Sequence, residues 1–202
     1  MTAIVFDLDG TLLDTLDDLT AATNHILRSY GRPERTREEV RGFVGNGARC
    51  QLEQSFAPAP LPEAALEDYL SYYSAQCQEH TRPYPGIPEA LAQLGERYPL
   101  AIVSNKPDAA VKALCARHFP GILALGERPG TPRKPAPDLL YAALEALGAQ
   151  TCLYVGDSEV DQQTAQNAQV PYLLVPWGYR PIPTPLCPTP TTLPQTIQEL
   201  LK

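Results

Sequence analysis

The chain has 202 residues, of which 44% are hydrophobic and 19% charged, and its formal net charge is −7. This composition is typical of a soluble globular protein with one large or two small domains. The acidic balance argues against a nucleic-acid partner, which would need a basic face. No apolar run approaches the roughly 20 residues that span a bilayer, and no basic segment leads into an apolar one, so we expect neither a membrane segment nor a signal peptide.

The cysteines are scattered along the chain and odd in number, and no two have the C-x-x-C spacing of a zinc site. They are Cys50, Cys77, Cys115, Cys152 and Cys187. This pattern indicates reduced thiols with mostly structural roles, and it predicts a cytoplasmic protein.

The first element is a short apolar run over residues 3–6, which predicts a buried strand because a glycine turn follows it. Asp7 and Asp9 come directly after this run, at the end of the strand where open α/β sheets place their ligands. Two carboxylates so close together repel each other, and a divalent cation such as Mg²⁺ is the simplest compensation. Taken alone, the same pattern also fits an acidic turn.

A helical section follows over residues 14–82, with no convincing strand in it. Apolar residues at three- and four-residue steps predict a first helix over residues 16–30, which ends at Gly31. The other helices are predicted over residues 37–44, 48–56 and 63–80. The glycine-rich stretch over residues 44–47 separates the second helix from the third.

The pattern changes at residues 81–88, where three prolines and a glycine in eight residues mark a boundary. Beyond it, helices and strands alternate. Helices are predicted over residues 89–97, 109–118, 139–147 and 160–168, and strands over residues 100–103, 122–125, 152–155 and 172–175. Residues 176–194 are proline-rich and are expected to be extended on the surface, before a short closing helix that begins at Leu193.

Alternation of this kind predicts a parallel sheet with helices on both faces, to which the first strand also belongs. The fold class is therefore α/β with a Rossmann-like core. The helical section is an insertion after the first strand, which divides the chain into a core of residues 1–13 and 83–202 and an all-helical domain of residues 14–82.

Polar residues follow two further strands, at ends that a parallel sheet brings to one edge. Ser104 and Asn105 follow the strand over residues 100–103, and Asp157 follows the strand over residues 152–155, with Asp161 four residues later. Lys134 precedes the helix over residues 139–147. Each alone also fits a helix cap, a turn or a surface position, but their joint placement at one edge favours a site.

Such a site suits phosphoryl transfer. One carboxylate can attack phosphorus and hold the phosphoryl group as an acyl phosphate, while a second protonates the leaving oxygen and later deprotonates a water. Further acidic groups can complete a Mg²⁺ site. Ser104, Lys134 and the backbone amides of Leu8 and Asp9 can hold the phosphate oxygens.

The chain resembles the haloacid dehalogenase (HAD) superfamily in four motifs that occur in the family's order. They are Asp7-Leu8-Asp9-Gly10-Thr11, Ser104-Asn105-Lys106-Pro107, Lys134-Pro135, and Gly156-Asp157-Ser158 with Asp161. The helical section resembles the family's type 1 cap.

The resemblance implies a role for each motif residue. Asp7 would be the nucleophile and Asp9 the general acid and base, with Ser104 and Lys134 binding the phosphoryl group. Mg²⁺ would be held by Asp7, the backbone carbonyl of Asp9, and Asp157. Asp161 would support the metal site, and Thr11 and Asn105 would contribute to substrate binding.

Within the superfamily, the sequence favours a phosphatase. A dehalogenase would lack the second carboxylate, Asp9, and sugar-phosphate mutases more often have an aliphatic residue in place of Thr11. A phosphonatase would need a lysine in its cap, and residues 14–82 contain none.

The finer resemblance is to phosphoglycolate phosphatases, which share the Val44-Gly45-Asn46-Gly47 segment after Arg41, and also Tyr84-Pro85-Gly86 and Trp177-Gly178-Tyr179. The glycine segment fits a simple turn between helices. It also fits a loop that closes over the site, in which Gly45, Asn46 and Gly47 contact substrate and Arg41 or Arg49 pairs with a substrate carboxylate.

The expected partner is a small phosphorylated metabolite, and the chain is expected to act as a monomer or homodimer. Several alternatives to 2-phosphoglycolate remain open. The substrate could be pyrophosphate, a nucleotide or a sugar phosphate, and the rim segment over residues 126–133 is shorter than is usual in the family. Two alternative functions also remain open, which are a phosphosugar mutase and a catalytically silent binding protein of the same fold.

Overall fold

The computed structural model describes residues 1–76, 79–181 and 186–202. The end of the sequence-predicted helix over residues 63–80, with Cys77, and part of the proline-rich segment over residues 176–194 lie outside the described residues. Within the described part of the chain, no helix is both long and apolar enough to cross a membrane.

The elements alternate as the sequence predicts after residue 86. The strands are β1 (Thr2–Phe6), β2 (Leu13–Asp14), β3 (Arg82–Pro83), β4 (Leu100–Pro107), β5 (Leu123–Glu127), β6 (Thr151–Gly156) and β7 (Tyr172–Leu174). The helices are α1 (Leu16–Ser29), α2 (Arg37–Phe43), α3 (Gly47–Phe56), α4 (Ala65–Gln76), α5 (Ile87–Gly95), α6 (Asp108–His118), α7 (Asp138–Leu147), α8 (Glu159–Asn167) and α9 (Leu193–Leu200).

The main sheet has five parallel strands in the order β5-β4-β1-β6-β7. β1 is its centre, and Val5 pairs with Ala101 of β4 on one side and with Tyr154 of β6 on the other. The predicted α/β fold with a parallel sheet is therefore confirmed. Because β1, β4 and β6 are adjacent and parallel, their carboxyl ends meet at one edge.

Apolar clusters cover both faces of the sheet, because successive residues of β1 point to opposite sides. Ile4 and Phe6 pack into the larger cluster, which also receives α5, α9 and the helical section. Val5 faces the smaller cluster, whose members include Leu140 of α7. Full burial of a side chain such as that of Phe6 contributes about 1.5–3 kcal/mol.

The helical section α1–α4 is inserted between β1 and β4, and its two ends meet in a short ribbon. Leu13 of β2 pairs antiparallel with Pro83 of β3, and Asp14 pairs with Arg82. The sequence does not predict these strands, since two residues are too few to show a period of two. The ribbon brings both connections between the helical section and the sheet to one place.

Candidate active site

A cavity lies between the carboxyl edge of the sheet and helices α1, α3 and α4. It encloses about 630 Å³, including the space open to solvent. Asp7, Asp9, Ser104 and Asp157 line it from the ends of three neighbouring strands, as the strand-end argument predicts. Described residues from the helical section that line it are Leu19, Val44, Gly45, Gly47, Ala48, Gln51, Tyr69 and Tyr73.

Lys134 is the centre of a buried polar network. Its Nζ lies 2.6 Å from Asp7 Oδ1, 2.8 Å from Asp161 Oδ1 and 3.0 Å from the hydroxyl of Tyr154. Burial opposes its charged form, but the carboxylates of Asp161 and Asp7 outweigh that effect and hold the pKa of Lys134 well above its usual value. The lysine therefore stays charged beside Asp7.

Asp7 is largely buried at the carboxyl end of β1, where it lines the cavity. Burial raises the pKa of Asp7 to about 7, although the charge of Lys134 partly opposes this shift. The negative charges of Asp161 and Asp9 raise the pKa further. A neighbouring cation would favour the ionised form that a nucleophile requires.

Asp157 lies on the strand-to-helix turn after β6, and Asp161 lies in the first turn of α8. Asp161 Oδ2 accepts hydrogen bonds from the Ser158 hydroxyl at 2.6 Å and from the backbone N–H groups of Asp157 and Ser158 at 3.2 and 3.1 Å. Both oxygens of Asp161 thus have protein donors. The backbone N–H of Tyr179 donates to Asp157 Oδ2 at 2.5 Å. Burial, with the charges of Asp161 and Asp7, raises the pKa of Asp157 well above its usual value.

The acid cluster fits a divalent cation. One oxygen each from Asp7, Asp157 and Asp161 lie within 4.8 Å of one another, and all three residues are buried. With Lys134 as their cationic partner, three ionised carboxylates leave two negative charges to be compensated. Oxygen ligands of this kind suit a hard cation such as Mg²⁺. The pKa values of Asp7 and Asp157 are raised first by burial and then by the neighbouring carboxylates.

Asp9 also lines this cavity and is held by two side chains. Lys106 Nζ lies 2.9 and 3.0 Å from its two carboxylate oxygens, and the hydroxyl of Thr15 donates to Oδ1 at 2.6 Å. The ammonium of Lys106 also lies 4.7 Å from the centre of the Tyr73 ring, which belongs to α4. The helical section therefore contacts the partner of Asp9 directly.

Ser104 and Asn105 lie inside β4, which continues to Pro107 and is longer than predicted. The Ser104 hydroxyl accepts from the backbone N–H of Lys106 at 3.2 Å and lines the cavity. Asn105 Nδ2 donates to the carbonyls of Lys134 and Gly45, at 2.9 and 3.0 Å, and Oδ1 accepts from the Lys134 N–H at 2.8 Å. Asn105 therefore fixes the position of Lys134 and fastens the glycine segment to the sheet edge.

The remaining sequence-predicted site residues differ in whether they line the cavity. Gly45 and Gly47 line the cavity, whereas Asn46 lies beside it as the residue before α3. Thr11 is buried and is not among the described residues that line the cavity, and its hydroxyl has no hydrogen-bond partner among the described residues. Arg41 donates from Nε to the carbonyl of Tyr179 at 3.1 Å and is not among the described residues that line the cavity.

Several residues of the site received no role from the sequence. They include Lys106, Tyr154, Tyr179 and Arg180. Lys106 follows Ser104 and Asn105 in the same motif, so its position in the sequence could have indicated that it lies in the site. Tyr154 is a strand residue whose hydroxyl reaches Lys134, and Tyr179 and Arg180 lie in a segment that the prolines indicated to be surface.

Comparison with known proteins agrees with this fold. The family model for haloacid dehalogenase-like hydrolases matches residues 4–175. The chain belongs to this family of hydrolases, which confirms the resemblance drawn from the four motifs.

Three similar proteins within the family have names that refer to the same activity. A phosphoglycolate phosphatase of Rhodobacter capsulatus is 37% identical over 198 residues, which cover 92% of this chain and 89% of the relative. A phosphoglycolate phosphatase of Mesorhizobium japonicum is 36% identical over 190 residues, covering 87% and 83%. The crystal structure of a phosphoglycolate phosphatase candidate from Lactobacillus delbrueckii subsp. bulgaricus superposes with a TM-score of 0.82 at 37% identity, covering 90% of this chain and 89% of that one.

Proposed function

We propose that the chain is a Mg²⁺-dependent phosphatase that hydrolyses 2-phosphoglycolate through an aspartyl-phosphate on Asp7. The observation that carries this proposal is the buried cluster of Asp7, Asp157 and Asp161 around one lysine, open to a cavity that Asp9 also lines. The substrate is suggested by the relatives of known activity, which are phosphoglycolate phosphatases.

In the first step, a carboxylate oxygen of Asp7 attacks phosphorus, and the bond from phosphorus to the ester oxygen breaks. Asp9 delivers a proton to the departing oxygen, so the alcohol leaves neutral. Lys106 and Thr15 then stabilise the carboxylate that remains on Asp9, since both already contact it. Lys134 and Ser104 hold the phosphoryl oxygens while the bonds change.

In the second step, Asp9 takes a proton from a water molecule, which attacks the phosphorus atom of the aspartyl-phosphate. The bond between phosphorus and the Asp7 oxygen breaks, which releases inorganic phosphate and restores the carboxylate. We propose that Asp7, Asp157 and the backbone carbonyl of Asp9 bind Mg²⁺, with Asp161 in support. The bound ion would neutralise negative charge on the phosphoryl group.

Residues 14–82 are proposed to act as a cap domain over a core of residues 1–13 and 83–202. The ribbon of β2 and β3 joins the two at a single place, which supports this division. The glycine segment of the cap, Gly45 to Gly47, contacts Asn105 of the core, and Asn46 and Arg41 lie in or beside the same region. Thr11 would act indirectly, as part of the loop that carries Asp9.

The cellular location, the class of partner and the assembly of the protein stay predictions. A cytoplasmic location is supported by the free thiols of the described cysteines, which are Cys50, Cys115, Cys152 and Cys187. The net charge of −7 supports a small-molecule substrate and no nucleic acid. A monomer or homodimer is the expected assembly.

The purified protein tests the proposed reaction. It should release phosphate from 2-phosphoglycolate, lose activity with a chelator and regain it with Mg²⁺, and be inactive as Asp7→Asn. Full activity of Asp7→Asn would contradict the mechanism. A panel with pyrophosphate, nucleotides and sugar phosphates tests the substrate, and product analysis with a hexose 1-phosphate tests mutase activity. Mg²⁺ binding without turnover of any ester would instead indicate a silent binding protein.

A further inference from the structure

Arg180 lies at the wall of the cavity, where the core meets the helical section. Its Nη1 donates to the carbonyl of Arg41 at 2.8 Å, and its Nη2 donates to the carbonyls of Gly42 and Val44 at 3.1 and 2.9 Å. These carbonyls belong to the end of α2, where the last C=O groups of a helix lack partners within the helix. The guanidinium therefore holds this end of the helical section against the core.

The positive charge of Arg180 is compensated less than the charges of the other cations that line the cavity. Lys134 is paired with Asp7 and Asp161, and Lys106 is paired with Asp9. The hydrogen-bond partners of Arg180 are neutral carbonyls. Among the described residues, its carboxylate contact is with Glu159, at 3.7 Å from Nε, and that side chain is 75% exposed. Such an exposed pair in water compensates little of the charge. Among the cations of the described cavity wall, Arg180 is thus the one without a buried carboxylate partner.

The position of Arg180 is fixed relative to the reacting groups. It follows Tyr179, whose backbone N–H donates to Asp157 and whose hydroxyl accepts from the backbone N–H of Thr15 at 2.8 Å. Thr15 in turn contacts Asp9. The Nη1 atom donates to one carbonyl among the described residues, which leaves its second N–H for a ligand. A cation held in this way can bind an anionic group on the leaving group of the substrate.

We propose that Arg180 is the specificity-determining residue of this site and pairs with a carboxylate on the leaving group of the phosphate ester. The inference rests on the proposed phosphatase function and assigns to Arg180 the recognition that the sequence had suggested for Arg41 or Arg49. Arg49 is exposed and Arg41 points to the carbonyl of Tyr179, whereas Arg180 lines the cavity itself. Guanidinium and carboxylate form charge-assisted hydrogen bonds that a neutral ester cannot replace.

The test compares two esters with the same carbon count. 2-Phosphoglycolate carries a carboxylate, and ethyl phosphate carries a methyl group in its place. The measured quantity is the ratio of kcat/KM for the first ester to kcat/KM for the second. We expect wild-type protein to prefer the carboxylated ester, and Arg180→Gln to lower the ratio by about 10- to 100-fold, the range for loss of a hydrogen bond to a charged group. Arg180→Lys retains a positive charge and should retain part of the ratio.

Arg41→Gln is the matched control, because it removes another contact between the helical section and the core without changing the charge at the cavity wall. It should lower kcat/KM for both esters by a similar factor and leave the ratio unchanged. An equal loss on both esters in Arg180→Gln would overturn the inference, since Arg180 would then only hold α2. Equal wild-type activity on both esters would overturn it too and leave the phosphatase proposal intact. Turnover of neither ester would overturn both.

Discussion

At the scale of single residues, the carboxylates of the site differ in which groups compensate their negative charge. Asp161 is satisfied by protein donors, Asp7 shares Lys134 with it, and Asp9 has its own lysine, Lys106. Asp157 receives a backbone N–H and no ammonium within ion-pair distance among the described residues. This uneven compensation supports the proposed binding of Mg²⁺ at Asp7 and Asp157, and the separate lysine of Asp9 sets it apart from the proposed metal ligands.

Lys106→Met tests the role of the Asp9 partner. The variant removes the ammonium that lies 2.9 Å from Asp9 but keeps an unbranched side chain near the Tyr73 ring. We expect kcat to fall by about 10- to 100-fold, because the carboxylate left after proton transfer loses a charged hydrogen bond. Steady-state kinetics at saturating Mg²⁺ measure this.

The matched control is Lys112→Met. Lys112 is 61% exposed and pairs with Asp108 on the surface of α6, so its loss should leave kcat unchanged. If Lys106→Met retained the wild-type kcat, Asp9 would not depend on Lys106.

At the scale of elements, one short segment joins the three parts of the site. Over residues 177–180, Trp177 Nε1 donates to the carbonyl of Thr11 at 3.0 Å, Tyr179 contacts Asp157 and Thr15, and Arg180 holds the end of α2. The loop after β1, the turn after β6 and the helical section are thus fastened through the same few residues. At Gly178, this segment packs so closely against Asp157 and Gly10 that there is no space for a Cβ atom.

Gly178→Ala tests that packing. A Cβ at residue 178 would lie 2.3 Å from Asp157 Oδ2 and 2.5 Å from the carbonyl of Gly10, so Asp157 or the backbone must move. Because Asp157 is a proposed metal ligand, we expect the Mg²⁺ concentration for half-maximal activity to rise at least about 10-fold, as for the loss of a residue that orients a ligand. A magnesium titration of phosphate release measures this.

Gly42→Ala provides the comparison. A Cβ at Gly42 would meet nothing within 4 Å, and alanine favours a helix over glycine by about 0.5–1 kcal/mol. This variant should keep the wild-type magnesium dependence. An unchanged magnesium dependence in Gly178→Ala would show that the contact with Asp157 has no influence on the metal site.

At the scale of the whole molecule, the chain order of motifs determined how much could be predicted. Asp7, Ser104 and Asp157 each follow an apolar run, so a parallel sheet necessarily brings them to one edge. Arg180 lies in a proline-rich segment without periodicity, and no local pattern places it against α2. Likewise, nothing in the sequence near Thr11 shows that its side chain is buried and does not line the cavity.

The buried acids also give the whole protein a pH-dependent stability. The pKa of Asp7 is raised to about 7 in the folded protein, so the folded state binds its proton more tightly than the unfolded chain does. Its contribution to the free energy of unfolding therefore decreases as pH rises from about 4 to about 7, by up to about 1.4 kcal/mol per pH unit. The raised pKa of Asp157 acts in the same direction.

We therefore expect Mg²⁺ to raise Tm more at pH 8 than at pH 5, since a cation stabilises the ionised carboxylates. In a chelator, Asp7→Asn should lose less stability than wild-type protein between pH 5 and pH 8. Thermal unfolding of both proteins, with and without Mg²⁺, measures this. A magnesium effect that is larger at pH 5 would contradict the proposed link between the acid cluster and the cation.

The most direct test of the central claim is to trap the phosphorylated enzyme. The protein is mixed with an ester labelled in its phosphate group, quenched in acid during turnover, digested and analysed by peptide mapping. The account predicts label on the peptide that contains Asp7, removed by hydroxylamine as expected for an acyl phosphate, and no label in Asp7→Asn. Label on any other residue, or turnover without labelled protein at any time after mixing, would contradict it.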